Sequence, residues 1–473
     1  MSRSFGVVAI LCATCATFAP SALAQESREV QVQFDSLSVT QVDGRSVSEW
    51  LRPVLFHEGS RLKSNFGIDE GNGYIQFWGA VEIVEKGDTI WTDRLRYHKE
   101  SKVGVAEGNV RMSDGEVLLR SPSATHYSDN DLTIFTEGVA YADTSTALTA
   151  EGARYYSEDN RAEFSGSVRL EQERLVLHAD SLSYLRDEEL SRAWGNILVS
   201  RVNTEDSLQT HILAKTLYRD SSRDSIFVSG NARMALINPQ EQDTVYVRAE
   251  SITITDRDQM LAVDSVHVSS ETYDILGDSL STWQTEAGFQ RSEVRGSPMA
   301  WVENSQIKAT YLLLAEASDA DSLLGEGDVF VSTLDSATER INQLKGEHLK
   351  ITMVQDSIRA IQIEENAEAV LYFEQEEGGE TAGLRGSGDG MNFTFDGGAL
   401  ERFAFYEGVE TTYYAGHLLD QLSNLAGYIH APEDRPSRDE RAADFWMDYY
   451  RIIDSNPRSQ STVQSQSHTQ SER

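Results

Sequence analysis

His178-Ala179-Asp180-Ser181-Leu182-Ser183-Tyr184, a charged turn, and then Ala193-Trp194-Gly195-Asn196-Ile197-Leu198-Val199 form one complete unit of a pattern that recurs along the chain. An earlier stretch repeats it, with Trp91-Thr92-Asp93-Arg94-Leu95-Arg96-Tyr97 followed by Gly104-Val105-Ala106-Glu107-Gly108-Asn109-Val110-Arg111-Met112. A later one runs Leu213-Ala214-Lys215-Thr216-Leu217-Tyr218 and then Val228-Ser229-Gly230-Asn231-Ala232-Arg233-Met234. The glycines Gly79, Gly108, Gly138, Gly166 and Gly195 stand 29, 30, 28 and 29 residues apart, and Gly230 follows after 35. Self-similarity at a near-constant period is the signature of a stacked repeat.

Each period holds two strand patterns. Phe164, Gly166, Val168 and Leu170 share one face, while Ser165, Ser167 and Arg169 take the other. Such period-2 alternation marks a half-buried strand and not a helix. Turns carry the expected small polar residues, as in Asp129-Asn130-Asp131, Glu158-Asp159-Asn160 and Asp220-Ser221-Ser222-Arg223-Asp224. Only 8 prolines interrupt the chain, which suits an unbroken ladder of backbone hydrogen bonds. A glycine inside a strand weakens it unless its missing side chain is required. Its recurrence predicts a bend, or a close backbone approach, shared by all rungs. Two copies, near Asp264 to Val268 and Glu365 to Val370, lack the glycine.

The ends read differently. Arg3, the apolar stretch Phe5 to Phe18 and Ala22-Leu23-Ala24 predict a signal peptide over 1–24. Cys12 and Cys15 both fall within it, so the mature chain is expected to have neither disulfides nor thiolate metal sites. Residues 25–65 read as N-terminal edge strands and a connector. Val30 to Val39 alternates well and carries few charges, so it is an edge open to strand addition, unless it folds back within its own chain. From residue 413 the spacing turns helical: His417-Leu418-Leu419, Leu422 and Leu425, then Phe445-Trp446 with Tyr449-Tyr450. Residues 413–454 are thus expected to form a helical cap on the open end of the stack, or a docking element for a partner. Residues 455–473, rich in Ser and Gln, read as a disordered tail.

Acidic residues number 76 against 41 basic ones, giving a formal net charge of −35. That balance excludes nucleic acid as a partner, because phosphate contacts need clustered Lys and Arg. It suits a long β protein that must resist edge-to-edge association. No phosphate loop, His-Glu-x-x-His motif or nucleophile elbow is present. Gly386-Ser387-Gly388-Asp389-Gly390 lacks the Lys-Ser/Thr ending of a phosphate loop and is read as a turn. The ten histidines show no ligand spacing. His178 and Asp180, matched by Asp93 in another copy, read as a recurring structural slot and not as a catalytic pair. No enzyme activity, cofactor or metal is expected.

The chained pattern Ala-Asp-x-Leu-x-Tyr followed by Gly-Asn-Val, behind a signal peptide, resembles the OstA/LptA family. Thr92-Asp93-Arg94-Leu95-Arg96-Tyr97 with Glu107-Gly108-Asn109-Val110 carries the resemblance, as does Ala179-Asp180-Ser181-Leu182-Ser183-Tyr184 with Trp194-Gly195-Asn196-Ile197. That family comprises periplasmic lipopolysaccharide-transport proteins and the N-terminal periplasmic domain of the outer-membrane assembly protein. The resemblance covers residues 66–235 closely and 236–412 more loosely, which reads as two successive units. It implies an all-β fold, a β-jellyroll or open V-shaped stack of antiparallel strands, with a greasy interior that accepts acyl chains. No long run of membrane strands follows, since 411–473 cannot make a barrel.

What the resemblance implies is a periplasmic, lipopolysaccharide-binding bridge towards the outer membrane, joined to related jellyroll proteins of both membranes by edge-strand addition. The groove candidates are Ala106, Val110, Met112, Phe164, Val168, Leu170, Ala193, Ile197 and Val199. Those positions equally fit the closed, dry core of a periplasmic or surface β-solenoid acting as scaffold or adhesin.

Overall fold

The computed structural model describes residues 31–455, apart from 58–59, 86–87, 128–129, 157–158, 173, 203–207, 239–242, 256–258, 285–289, 318–319, 355–356, 375–378 and 397–398. The expected signal peptide, and residues 456–473 of the expected tail, lie outside the described residues. The all-β expectation is met: the described residues are antiparallel strands, three short 3-10 turns and one α-helix, Arg438–Asp454 (α1). The chain divides into two compact units, one running to Arg201 and joined by the chain from Ile452, the other from Val202 to Arg451. The boundary expected at 235/236 instead falls inside the strand Ser225–Asn238, which is hydrogen-bonded along its length to strands on both sides.

The recurring glycine marks a bend. In the first unit, the ladder slips between Trp78 and Val81, and again between Ser165 and Val168. Two residues are extruded at each slip, with φ of +74° and +51° at Gly79-Ala80, and +78° and +45° at Gly166-Ser167. Such an extrusion bends the strand and raises its twist. The bend recurs in the second unit at Gly230-Asn231 and Gly327-Asp328. The copies that lost the glycine keep the same conformation, with φ of +68° and +54° at Asp264-Ser265, and +60° and +58° at Glu365-Asn366.

Why glycine is preferred is plain at Gly108 and Gly195. A Cβ on Gly108 would come within 2.9 Å of Asp93 Cβ, and one on Gly195 within 2.6 Å of Asp180 Cβ. The recurring Asp therefore sits where the glycine side chain would be. Asn109 Nδ2 donates to Asp93 (2.8 Å), and Asn196 donates to Asp180 from its backbone N (3.2 Å) and Nδ2 (3.1 Å). The Asp…Gly-Asn pairing of the motif is thus one hydrogen-bonded corner.

In the first unit the bends fold the strands into two facing leaves. One leaf lies on one side of the bends, linked from Val110–Ser113 through Leu118–Ser121, Val139–Ala142 and Thr146–Thr149 to Arg169–Gln172. The other lies on the opposite side of the bends, linked from Val103–Glu107 through Ser123–Tyr127, Leu132–Thr136 and Gly152–Tyr156 to Arg161–Ser165. Tyr141 of the first leaf meets Phe164 of the second edge-on, with ring centroids 6.2 Å apart.

In the second unit, one cross-strand row runs His211, Ala235, Tyr246, Ser269, Asp274, Trp301, Gln306, Ser332, Gln343, Val370 and Arg385, each paired with the next. The chain from 416 to 449 returns along this row in reverse order. Arg385 donates to Ser423 O (3.2 Å), Gln343 Nε2 to Asn424 (2.7 Å), and Leu425 N to Gln343 Oε1 (2.9 Å). His430 Nδ1 meets Ser332 Oγ (3.1 Å), and Ala431 N donates to Gln306 Oε1 (2.7 Å). Arg435 pairs with Asp274 (2.7 Å), Arg441 donates to Ser269 Oγ (2.6 Å), and Trp446 Nε1 donates to Tyr246 OH (3.0 Å). Tyr449 ends the series against His211, with centroids 5.0 Å apart.

Where a cap was expected, residues 416–449 form this strap, because a row of polar strand residues needs partners once covered. The strands Ala399–Tyr406 and Glu410–Tyr414 keep an unpaired outer edge among the described residues, with Leu400, Phe403, Tyr406, Val409 and Tyr413 exposed. Gly386–Gly390, expected as a turn, lies inside the strand Thr381–Asp396. The rings of Phe405 and Tyr406 occupy the space beside Gly386 and Gly390.

Candidate functional site

The interior of the first unit is the candidate site. Ala106, Val110, Phe164, Val168, Leu170, Ala193, Ile197 and Val199 are buried between the leaves, and Met112 is half-buried. Phe164, Leu182 and Ala193 lie abreast on one leaf; Leu170, Leu177 and Val199 lie abreast on the other. The alternation on either side of each bend delivers them inward, since a bulge that extrudes two residues preserves the face of the following half. Val168, Ala193 and Ile197 are 0 % exposed, so this part of the interior is closed in the structure.

Packing between the leaves is incomplete from beside the bends to the far ends of the strands. A cavity there is lined by Met112, Leu119 and Tyr141 of one leaf, and by Phe135, Ala153, Phe164 and Tyr184 of the other. Its rim is polar, with Asp114, Asn160 and Arg186. Arg186 leaves the end of the strand Leu175–Leu185 and crosses to the turn after Val103–Ser113. There its Nη1 donates to Asp114 Oδ2 (2.6 Å) and its Nη2 to Glu116 Oε2 (2.6 Å). Asp114 Oδ1 is already engaged by the backbone N–H groups of Glu116 (2.9 Å) and Val117 (2.7 Å), which shape the turn.

Burial acts to raise the Asp114 carboxyl, but Arg186 and the two backbone donors outweigh it and hold its pKa below the ordinary value. Tyr141 donates to Asp143 (3.0 Å). Burial first, and the Asp143 carboxylate next, push this phenol well above its ordinary pKa, so it remains a donor at the cavity wall.

The chemistry available is burial and charge pairing. Among the described residues no group of three or more His, Cys, Asp or Glu side chains is placed to hold a metal ion. Asp180 and His178, read as a slot, sit apart in role: Asp180 holds the bend, while His178 is buried beside Arg169 in the ladder. Sequence reasoning missed Arg186, Asp114 and Tyr141. The only local signal was a charged turn at 186–189, with nothing to say what it faces.

Residues 28–180 match the family described as OstA-like protein. That stretch is OstA-like. It supplies most strands of both leaves in the first unit, including Asp114, Tyr141 and Phe164. The chain is also similar to the LPS-assembly protein LptD of Vibrio cholerae serotype O1 (strain ATCC 39315 / El Tor Inaba N16961), with 40 % identity over 53 residues. The similarity covers 11 % of this chain and 7 % of that protein. Arg186 and the groove candidates Ala193, Ile197 and Val199 lie beyond the OstA-like match, on the strands that complete the unit.

Proposed function

We propose that this protein is a periplasmic lipopolysaccharide-binding bridge that carries acyl chains in its folded β interior towards the outer membrane, without catalysis. The observation that carries the reading is the OstA-like stretch folding into two leaves around an apolar interior that opens at a mouth. Similarity to an LPS-assembly protein supports the ligand class. Acyl chains gain about 0.8 kcal/mol per buried methylene, and because the effect is non-directional a chain can slide between equivalent rungs. Directionality then comes from an energy-using partner.

Partners would add strands at the free edges. Ser36–Val42 pairs only with Arg45–Leu51 among the described residues, and its Leu37, Val39 and Val42 are 45 %, 58 % and 46 % exposed. An unpaired apolar edge is a template for a further strand, and the edge at Ala399–Tyr406 offers the complementary end. A related jellyroll protein of the inner or outer membrane is the occupant this reading assigns.

Photo-crosslinking tests the interior. A light-activated residue at Val168 or Ile197 should capture lipopolysaccharide, and one at Ser167 or Arg169, outside the interior, should not. The zero exposure of Val168, Ala193 and Ile197 favours a second reading, a scaffold with a closed dry core. Equal labelling at both sets, or none at either, would decide for that scaffold.

A further inference from the structure

We infer that Arg186 is the latch of the first unit's mouth and the anchor for the anionic head of an amphiphile whose tail enters the cavity behind it. This rests on the reading of the interior as an acyl-chain site, and it assigns to that site an entrance and a ligand charge.

Three observations converge. First, the ion pair joins the two leaves at the rim, beyond the Tyr141–Phe164 ring contact: Arg186 follows the last residue of a strand in one leaf, and Asp114 and Glu116 lie in a turn of the other. The leaves are continuous at the bends, so parting them at the mouth requires this pair to separate. Second, the pair stands on the rim of an apolar cavity, with Met112, Leu119 and Phe164 directly behind it. A cation beside an apolar hole fits a molecule with one anionic group and one hydrocarbon tail. Third, the pair is easily exchanged. The Arg186 side chain is 38 % exposed and Glu116 is 80 % exposed, so water reaches both. An exposed pair of this kind contributes little to stability, whereas a guanidinium accepts a phosphate or carboxylate in the same two-pronged geometry.

The carboxylates of Asp114 and Glu116 therefore act as a resident stand-in for the ligand's head. An arriving phosphate or carboxylate takes over the two N–H donors, the leaves part, and the tail meets Met112 and Phe164. Elsewhere a chain of net charge −35 repels an anion, which makes the Arg186 position selective.

The test compares cis-parinaric acid, which has an anionic head, with its uncharged methyl ester on the full-length protein by fluorescence titration. The wild type should bind the acid at least fivefold more tightly than the ester. Arg186→Ala should abolish that preference, the acid then binding no more tightly than the ester. Asp114→Asn with Glu116→Gln keeps the turn acceptor but removes the competing charges, and should tighten acid binding severalfold. Inorganic phosphate at the same concentration should displace the acid no better than chloride does.

A preference for the acid that survives in Arg186→Ala, or weaker acid binding in the double variant, would overturn the latch. Displacement by phosphate alone would reduce the site to a bare anion site and overturn the amphiphile assignment. Ester binding without acid preference would leave the acyl-chain reading standing and the latch refuted; failure of both probes to bind would remove the reading on which the latch rests.

Discussion

Replacing Gly195 by alanine isolates what the recurring glycine does. Two costs are separable. Gly195 has φ +82°, a conformation that costs an alanine about 1 kcal/mol. The new Cβ would also overlap Asp180 Oδ2 and stand 2.6 Å from Asp180 Cβ, so the carboxylate must swing away and the two strands must ease apart at the corner. That breaks its bonds from Asn196, which are exposed and contribute roughly 1 kcal/mol together. The expected loss is about 2–3 kcal/mol, or roughly 5–10 °C in melting temperature for a unit of this size.

Gly115 is the control, because it has φ +94° with nothing within 4 Å of its would-be Cβ. Gly115→Ala should pay only the conformational part, about 1 kcal/mol. Thermal melts and urea titrations of both variants supply the comparison. Adding Asp180→Gly, which removes the facing Cβ as well as the carboxylate, to Gly195→Ala should return the clash part of the loss, leaving the conformational part seen at Gly115 once the cost of Asp180→Gly alone is subtracted. Equal losses for the two single variants, or no recovery in the double, would refute the close-approach account of the repeat.

Arg435→Ala removes the paired cation from the Asp274 carboxylate, whose side chain is 3 % exposed and keeps Ser269 Oγ as a donor, and should cost about 3 kcal/mol in urea unfolding; a loss under about 0.5 kcal/mol would mean the strap pairing is incidental. His178 is buried, and desolvation, then Arg169, lowers its pKa from 6.5 to about 4. The unfolded chain therefore takes up a proton that the folded chain refuses, so stability is full above pH 6.5 and falls as pH drops towards 4. At pH 5 the loss is about 2 kcal/mol, and His178→Gln should flatten the stability–pH curve by that amount over this window. Leu37→Lys with Val39→Lys should abolish any concentration-dependent association seen in sedimentation without shifting the melting temperature by more than about 2 °C, since both side chains are exposed; undiminished association would place the contact elsewhere.

The strands were legible because alternation around Phe164, Val168 and Leu170 is a local signal. The corner was half legible. Its glycine recurs visibly, but its cause is a side chain on the preceding strand. The bonded pairs Asp93–Asn109, Asp180–Asn196 and Glu151–Ser167 are all 16 residues apart, a spacing that a search pairing acids with the residue after each glycine would have found. Gly386–Gly390 misled because its strand depends on the rings of Phe405 and Tyr406, which no local rule anticipates. Ser332, Gln306 and Gln343 look like solvent-facing strand residues, and what covers them arrives 98, 125 and 82 residues later. Arg186 was likewise silent, since its partners lie 72 and 70 residues upstream.

The strap has a consequence for the order in which the chain is made. Synthesis runs from Tyr246 through Ser269, Asp274, Gln306, Ser332 and Gln343 before their partners in the strap exist, and only Ser269 and Asp274 of these bond to each other. The row is then answered backwards, Gln343 first by Asn424 and Leu425, Tyr246 almost last by Trp446. A growing or threading chain can zip its strands neighbour by neighbour, yet the second unit holds these polar groups in water until the strap emerges. A chain stopped before residue 424 would be nearly all strand and still unfinished, with this row wet and open to any protease that inspects half-made β sheets.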